Sequence, residues 1–506
     1  MFKIHDYEQD VTHSREKIIS LNEYSIDTYY GENDVYVPLT FLSDMFGGTY
    51  GYNIAYNGKD IYVLDYFGEV FGTDEIHDIA YYGDKYYEIL SDLQTPREID
   101  VVNYTYNQLC FTFDNLRGYT VCLRFLDNNL LSLGLDTLLD YYHPSVKKGL
   151  LSTDKEKYYA ALETLFYGLY DNGHTGLLAP KNPIVDDAVN VVHGKPNSVD
   201  PHYVDIMMNI LEHKYQTIDY WQGIIATRNE TMPEYKAMYD EKNKGITVDN
   251  EKRPPNFYYI ANDENKIAYI GFEGFDIDYE GWDKFYKGEI DEETLMTSDT
   301  FAYVRNKLIQ AKKDGMQRMV LDISTNGGGS LGTLTGLVAL LNGGKAMLGC
   351  NYTLNQHRIT RKSEIDFNLD GVFDEQDILE AQELVKDLKI GILISPFSFS
   401  AANLFPTLMQ ELGFPILGEP SSGGSCSVML STTAEGMGYV HSSPMCLTNL
   451  NGENVDIGVM PQIILQREEK WNNLIREYRT ESYYRFSTVA TMLDQFYENK
   501  PKPLDY

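Results

Sequence analysis

Four short apolar runs, separated from one another by segments of helical periodicity, constrain this chain more than any other feature. Ile267-Ala268-Tyr269-Ile270, Met319-Val320-Leu321-Asp322-Ile323, Ile390-Gly391-Ile392-Leu393-Ile394 and Pro415-Ile416-Leu417-Gly418 read as buried strands. Between and after them, Thr300 to Lys312, Leu331 to Leu341 and Ala401 to Leu412 carry apolar residues at helical spacing. Strands alternating with helices predict an α/β core.

The flanks read differently. Residues 18 to 70 alternate short tyrosine-rich runs with turn signals such as Gly47-Gly48 and Asn57-Gly58, with a short helix expected over Leu39 to Phe46. Tyr104 to Leu116 and Tyr119 to Phe125 read as two strands, and Cys110 and Cys122 would face each other across that hairpin, bridged or reduced. Ser152-Thr153-Asp154-Lys155-Glu156 opens a helix, with Ser152 or Thr153 as cap, that stops at Asn172-Gly173. Two helical patterns follow in 200–245, one over Tyr203 to Leu211, and residues 470–498 close the chain with helical segments. The resulting division is a small N-terminal α+β module at 1–72, mixed strands then helix at 73–180, a helical insertion or cap at 181–255, and the core at 256–506.

At 506 residues the chain is too long for one core. Its net charge of −33 repels phosphate backbones and anionic lipid, which argues against nucleic-acid or polybasic membrane roles. No apolar run reaches the length of a membrane span. Five cysteines, none in CxxC spacing, indicate neither a zinc site nor a disulfide framework. Met1-Phe2-Lys3 leads directly into polar residues, so the sequence as read opens without a signal peptide.

Chemistry concentrates at strand ends. Phe399-Ser400-Ala401-Ala402-Asn403 joins a strand to a helix, where free N–H groups and the helix dipole stabilise negative charge. Ser400 there is either a helix cap or a nucleophile. Asp322 to Ser330 ends another strand in three glycines, Gly327, Gly328 and Gly329, and then opens a helix. It lacks the Lys-Ser/Thr of a phosphate loop and the spacing of a dinucleotide site, and suits an oxyanion hole or peptide cradle better. Asp171-Asn172-Gly173-His174-Thr175 places a histidine in a glycine-flanked turn. Gly418-Glu419-Pro420-Ser421-Ser422-Gly423-Gly424 and Asp456-Ile457-Gly458-Val459-Met460-Pro461 complete the set, with Glu453 just before the last.

Taken in chain order, 171–175, 322–329, 399–403, 418–424 and 458–462, the five pieces resemble the motifs of family S41 serine peptidases, which include C-terminal processing peptidases and the tricorn core. The resemblance covers roughly residues 100 to 470. It implies a ClpP/crotonase-like spiral core and hydrolysis of peptide bonds in peptide or protein substrates. It also implies Ser400 as nucleophile, with the amide of Ala401 and that of Gly327 or Gly328 forming the oxyanion hole. Processing peptidases place a lysine base 24 residues after the serine, and here that position is Gly424. The tricorn-like branch uses the histidine of the Gly/Ser-His-Thr turn, which implies His174 as base. The orienting acid of that branch commonly falls three residues before Gly458, where this chain has Val455; Asp456 is favoured in its place, with Glu453 as second choice. Ser324 stands where the family has arginine, and Gln462 where it has aspartate, which leaves room for a non-proteolytic ligand-binding or surface adhesion protein on the same scaffold.

Two further resemblances are smaller. Residues of about 18–70 resemble the stalk module of copper amine oxidases, implying a spacer or binding role without the copper chemistry. Asp366 to Asp377 resembles a dockerin-type EF-hand loop, with oxygen donors at Asp366, Asn368, Asp370, Asp374 and Asp377, a carbonyl at Val372, and Gly371 at the sharp turn. It implies a structural Ca²⁺ that staples an insertion. The surface-module and calcium resemblances imply an extracellular or cell-surface bacterial protein, with a cytoplasmic one left open. Oligomeric state is not legible.

Overall fold

The computed structural model describes residues 3–12, 17–47, 53–56, 59–64, 94–118, 133–169, 171, 173–177, 218–247, 252–262, 264–352, 357–424, 426–472 and 475–499. The four apolar runs are strands of one six-stranded sheet. Its order is Ile463–Ile464, Ile416–Gly418, Lys389–Ile394, Arg318–Asp322, Ile267–Gly271 and Phe257–Asn262. Neighbours are parallel except the last pair, which is antiparallel.

These runs lack polar alternation because both faces of the sheet are covered, as expected of parallel sheets. Ile270, Leu321, Ile392 and Ile394 face a core built with the helices Thr300–Lys313, Leu331–Leu341 and Ala401–Glu411. Tyr269, Val320 and Leu393 point the other way, into a second core with Tyr220, Tyr235, Tyr483 and Leu493. Side chains that alternate across a strand thus serve two cores at once. Truncating a residue such as Leu321 to alanine would cost roughly 2–5 kcal/mol.

A second six-stranded sheet is antiparallel, in the order Ile4–Thr12, His357–Ile365, Lys345–Tyr352, Gly438–Thr448 and Cys426–Thr432, with Gly176–Leu177 pairing onto Gly438–Thr448. Ile4–Thr12 therefore belongs to this sheet and not with the small module expected over 1–72. The rest of that region shows the expected pieces: Val35–Tyr36, a helical turn at Leu39–Leu42 continued by Ser43–Gly47, and a hairpin of Asn53–Tyr56 with Ile61–Leu64.

Three expectations fail for physical reasons. Tyr104 to Leu116 is not a strand; Ile99–Asn115 is a helix, so no hairpin pairs Cys110 with a partner strand. Its β-branched and aromatic residues favour strands only weakly, and packing overrides that preference. Val102, Tyr106, Leu109 and Phe113 recur at helical spacing and are buried, the last three in a cluster with Leu162, Leu165 and Tyr439. Cys110 is a buried free thiol, while Cys122 and the segments Tyr119 to Phe125 and Tyr203 to Leu211 lie outside the described residues. Residues 470–498 are only half helical: Glu468–Asn472 and Ile475–Arg479 form a hairpin before the helix Phe486–Asn499. There Tyr478 is buried against Tyr220 while its neighbour Arg479 pairs with Glu230, the two-residue alternation of a strand. The helix expected from Ser152 is Lys155–Gly168, and Asp154 rather than Ser152 or Thr153 receives an N–H of its first turn, that of Lys157.

The helical region before the core reaches into it through one side chain. Arg228, on the helix 218–231, is fully buried and pairs with Asp322 and Glu273, each at 3.0 Å. Its guanidinium also donates to Tyr484 Oη at 2.8 Å and Ser324 Oγ at 3.2 Å. Ser324 occupies the motif position where an arginine was expected, and a guanidinium from elsewhere in the chain fills the space beside it.

Candidate active site

The strands Arg318–Asp322 and Lys389–Ile394 run parallel and end at the same edge of the sheet. Their following loops, 323–330 and 395–400, therefore meet where ligands of open α/β sheets bind. Ser395 Oγ donates to Ser324 O at 2.5 Å and Ser398 Oγ to Ile323 O at 2.8 Å, which stitches the two loops together.

Ser400 sits between the second loop and the helix Ala401–Glu411 with φ 57° and ψ −121°, a conformation rare for a residue with a side chain. It does not cap its helix, because its hydroxyl accepts no N–H of the first turn. Strain of this kind costs on the order of 1–3 kcal/mol and persists only where neighbours over-determine it. Here Ser400 N donates to Gly423 O at 2.9 Å and Ser422 N to Ser398 O at 2.9 Å. Asn403, one turn into the helix, accepts from Ser421 Oγ and donates to Val455 O, tying helix, glycine turn and the 455–459 segment together. Among the described residues the hydroxyl has no hydrogen-bond partner, and at a helix N-terminus that geometry suits a nucleophile.

The glycine loop presses directly on this serine. A Cβ on Gly328 would lie 2.8 Å from Ser400 Cβ and 3.1 Å from Ala401 N, and Gly328 has φ +117°. Only glycine permits that approach. Gly328 N, however, donates to Asn326 Oδ1 at 2.8 Å, and Asn326 Nδ2 to Phe272 O at 3.0 Å. Of the two candidate amides on the loop, Gly328 is spent on holding the cradle, whereas Gly327 N and Ala401 N have no partner among the described residues. Those two are the free donors.

His174 lies in the turn before Gly176–Leu177 and is 5% exposed. Asp171 closes that turn by accepting from Thr175 N and Thr175 Oγ1, both at 2.6 Å, and takes a third bond from Ser442 Oγ at 3.0 Å. The imidazole packs on the ring of Phe399, the residue before Ser400, with centroids 4.6 Å apart. No hydrogen bond joins His174 to Ser400 in this structure, and His174 Nδ1 is buried without a partner among the described residues. Burial lowers the pKa of His174 below its ordinary value, and the charges of Asp171 and then Asp456 oppose that shift. The ring is therefore neutral near pH 7 and able to accept a proton.

The two acid candidates separate. Asp456 is 5% exposed and near enough to act on His174 electrostatically; its Oδ2 accepts from Asn454 Nδ2 at 2.7 Å. Glu453 is exposed and bonded to Asn449, away from the imidazole. The position of the alternative lysine base is closed: Gly424 has φ +83°, and a Cβ there would meet the Phe399 ring at 2.3 Å. Four contributors escaped sequence reading: Phe399, Asn326, Gly423 and Arg228. The Asp171/Thr175 spacing of a closed polar turn was visible within its motif, but not as a clamp.

In the acidic loop, Asp366 Oδ2 accepts from Gly371 N at 2.8 Å, Asp370 Oδ1 from Val372 N at 2.8 Å, and Asp377 from Asn368 N and Asp374 N at 3.1 and 3.0 Å. Gly371 has φ +88°, and the following helix is Glu375–Val385, capped by Asp374. Among the described residues no three acidic, histidine or cysteine side chains converge as a metal would require. Asp366 Oδ1 is nevertheless buried and unpartnered.

Residues 266–465 match the model of Peptidase family S41. That match takes in the glycine cradle, Ser400, the 418–424 turn and Asp456 but not His174. No curated protein matches the chain. Solved structures similar to it include the photosystem II D1 C-terminal processing protease, at 17% identity over 40% of this chain and 42% of that one, TM-score 0.28. A Parabacteroides merdae ATCC 43184 structure described as a peptidase is 13% identical over 72% of this chain and 88% of its own, TM-score 0.39. Mature CPAF is 15% identical over 47% of this chain and 53% of its own, TM-score 0.28. The chain thus spans about half the length of two of these three. Among the described residues no helix is long and apolar enough to cross a membrane.

Proposed function

We propose that this protein hydrolyses peptide bonds through an acyl-enzyme on Ser400. Ser400 Oγ attacks the scissile carbonyl carbon while His174 takes its proton. The oxyanion that forms lies against the N–H groups of Ala401 and Gly327. His174 then gives its proton to the departing amine as the C–N bond breaks. Water attacks the ester, His174 takes that proton in turn, and Ser400 leaves with it. Asp456 stabilises the transient imidazolium by charge. A short inward movement of the His174 ring past Phe399 on substrate binding completes the proton path, since catalytic hydrogen bonds often tighten only in the complex.

The observation that carries this reading is the strained Ser400 pressed against Gly328, beside two free amides. A fluorophosphonate probe followed by peptide mapping tests it. Label on Ser400, lost in His174→Ala, is expected. An unlabelled Ser400 together with no cleavage of an unfolded protein substrate overturns it, and leaves the ligand-binding or adhesion reading.

We also infer that Asp366, Asn368, Asp370, Asp374, Asp377 and the Val372 carbonyl hold a Ca²⁺ that would brace the loop between the strand His357–Ile365 and the helix Glu375–Val385. The orphaned buried Asp366 Oδ1 and an all-oxygen donor set support this. Binding requires the carboxylates to turn from backbone N–H groups toward the ion. A surface location outside the cell, where Ca²⁺ is abundant, fits that loop. Calcium-dependent change in Tm, absent in Asp366→Asn, is the readout; an unchanged Tm overturns it.

A further inference from the structure

A cavity of about 270 Å³ lies between the first turn of the helix Leu331–Leu341, which follows the glycine cradle in the chain, and one face of the antiparallel sheet. Leu331 is three residues past Gly328, so the two Cα atoms lie at most about 11 Å apart, the span of roughly three residues of extended peptide. Leu348 and Cys350 line the cavity from one strand, Met445 and Leu447 from the next. Each pair is two residues apart, so all four project on the same face.

Arg361 lines this otherwise mostly apolar space from the third strand, directly opposite Leu348 in register. Its guanidinium makes no ion pair or hydrogen bond among the described residues. The other cations of these strands are committed: Lys362 pairs with Glu8, Lys345 with Glu364, and Arg358 donates to Leu450 O and Asn451 O. The one carboxylate in the cavity, Asp6, is engaged with Ser363 Oγ at 2.6 Å and does not approach Arg361 within ion-pair distance. Arg361 is an exposed residue, so its guanidinium is solvated at the edge of this space and, unlike the other cations of these strands, is available to a carboxylate brought by a ligand. The start of the adjacent helix contributes positive potential on the same side.

We propose that this pocket is a specificity subsite for an acidic side chain of the peptide substrate, within about three residues of the scissile bond, with Arg361 as its cation and the apolar strand residues packing the side chain's stem. The proposal rests on the peptide-hydrolase reading. Arg361 is a specificity residue and takes no part in the chemistry.

The test uses the full chain carrying Ser400→Ala, so that binding is read without turnover. Fluorescein-labelled, C-terminally amidated peptides of leucine and alanine carry one glutamate, walked across the sequence, against glutamine twins; anisotropy gives the affinities. At one or two adjacent positions the glutamate peptide is expected to bind about tenfold tighter than its twin, as one charge-assisted contact would give. Arg361→Gln in the same background is expected to erase that ratio, and Asp6→Asn to widen it. Equal affinities at every position, no binding of any peptide, or a ratio unchanged by Arg361→Gln overturns the proposal. Glutamate-selective binding with no turnover by the wild-type chain would instead overturn the catalytic reading and leave the pocket standing. Turnover without glutamate preference does the reverse.

Discussion

The Ser400 corner and the His174 turn are built to opposite standards. Ser400 sits at the end of two parallel strands, where those strands, a glycine cradle and the 418–424 turn hold its backbone. His174 sits in a turn that Asp171 closes through Thr175, just before the two-residue strand that joins the antiparallel sheet, with its ring against Phe399 and its Nδ1 without a partner among the described residues. The proposed nucleophile is thus pre-positioned by covalent neighbours and backbone bonds. The proposed base is positioned by packing. One half of the proposed pair is therefore rigid, and the other is where conformational adjustment would enter.

That contrast can be broken from either side. Ser400→Ala should lower kcat/KM by about 10⁴-fold or more while leaving Tm within a degree or two, because the hydroxyl supports no structural bond. Asp171→Ala should act on both structure and rate. It leaves Thr175 and Ser442 without buried partners, and a loss of about 2–4 kcal/mol by denaturant unfolding is expected, with activity falling as the turn loosens. Asp456→Asn should cost about 10- to 100-fold in kcat with Tm nearly unchanged, and Glu453→Gln less than twofold, so that comparing the two assigns the acid. The smallest effect is in pH. Because burial holds the His174 pKa below 6.5, the base stays deprotonated to lower pH than a free imidazole. Activity should persist as pH falls through 6.5 and be lost only below it. An acid limb at or above 6.5 would show that the ring gains exposure or a carboxylate partner in the working enzyme.

How much of this was readable in advance divides along the same line. The parallel sheet announced itself because its strands are buried on both faces and need no polar alternation. Ser400, Gly327 and Gly328 were visible because their roles are local: a strand end, a helix start and the absence of a side chain. His174 entered as a candidate only through its motif, since nothing local sets a histidine in a turn apart from any other; the structure places its ring on Phe399, beside Ser400. The helix Ile99–Asn115 was misread because its residue types favour strands, although Val102, Tyr106, Leu109 and Phe113 already carried the helical period. That Gly327 and not Gly328 keeps a free amide depends on the rotamer of Asn326, which no pattern encodes. Arg228 was invisible for a different reason: its partners Glu273 and Asp322 lie 45 and 94 residues further on, and only the folded chain brings them together.

Arg228 has a consequence for what counts as a unit here. The segment that matches the family model starts after it, at residue 266, yet the carboxylates of Asp322 and Glu273 pair with its charge. A fragment beginning at residue 256 would bury Asp322 at the heart of the sheet with no counter-ion, a penalty of roughly 3–5 kcal/mol. That is a large part of the whole stability of an ordinary domain. The segment that matches a family and the segment that can stand alone are therefore not the same: the matched residues 266–465 borrow a counter-ion from a helix that lies before them.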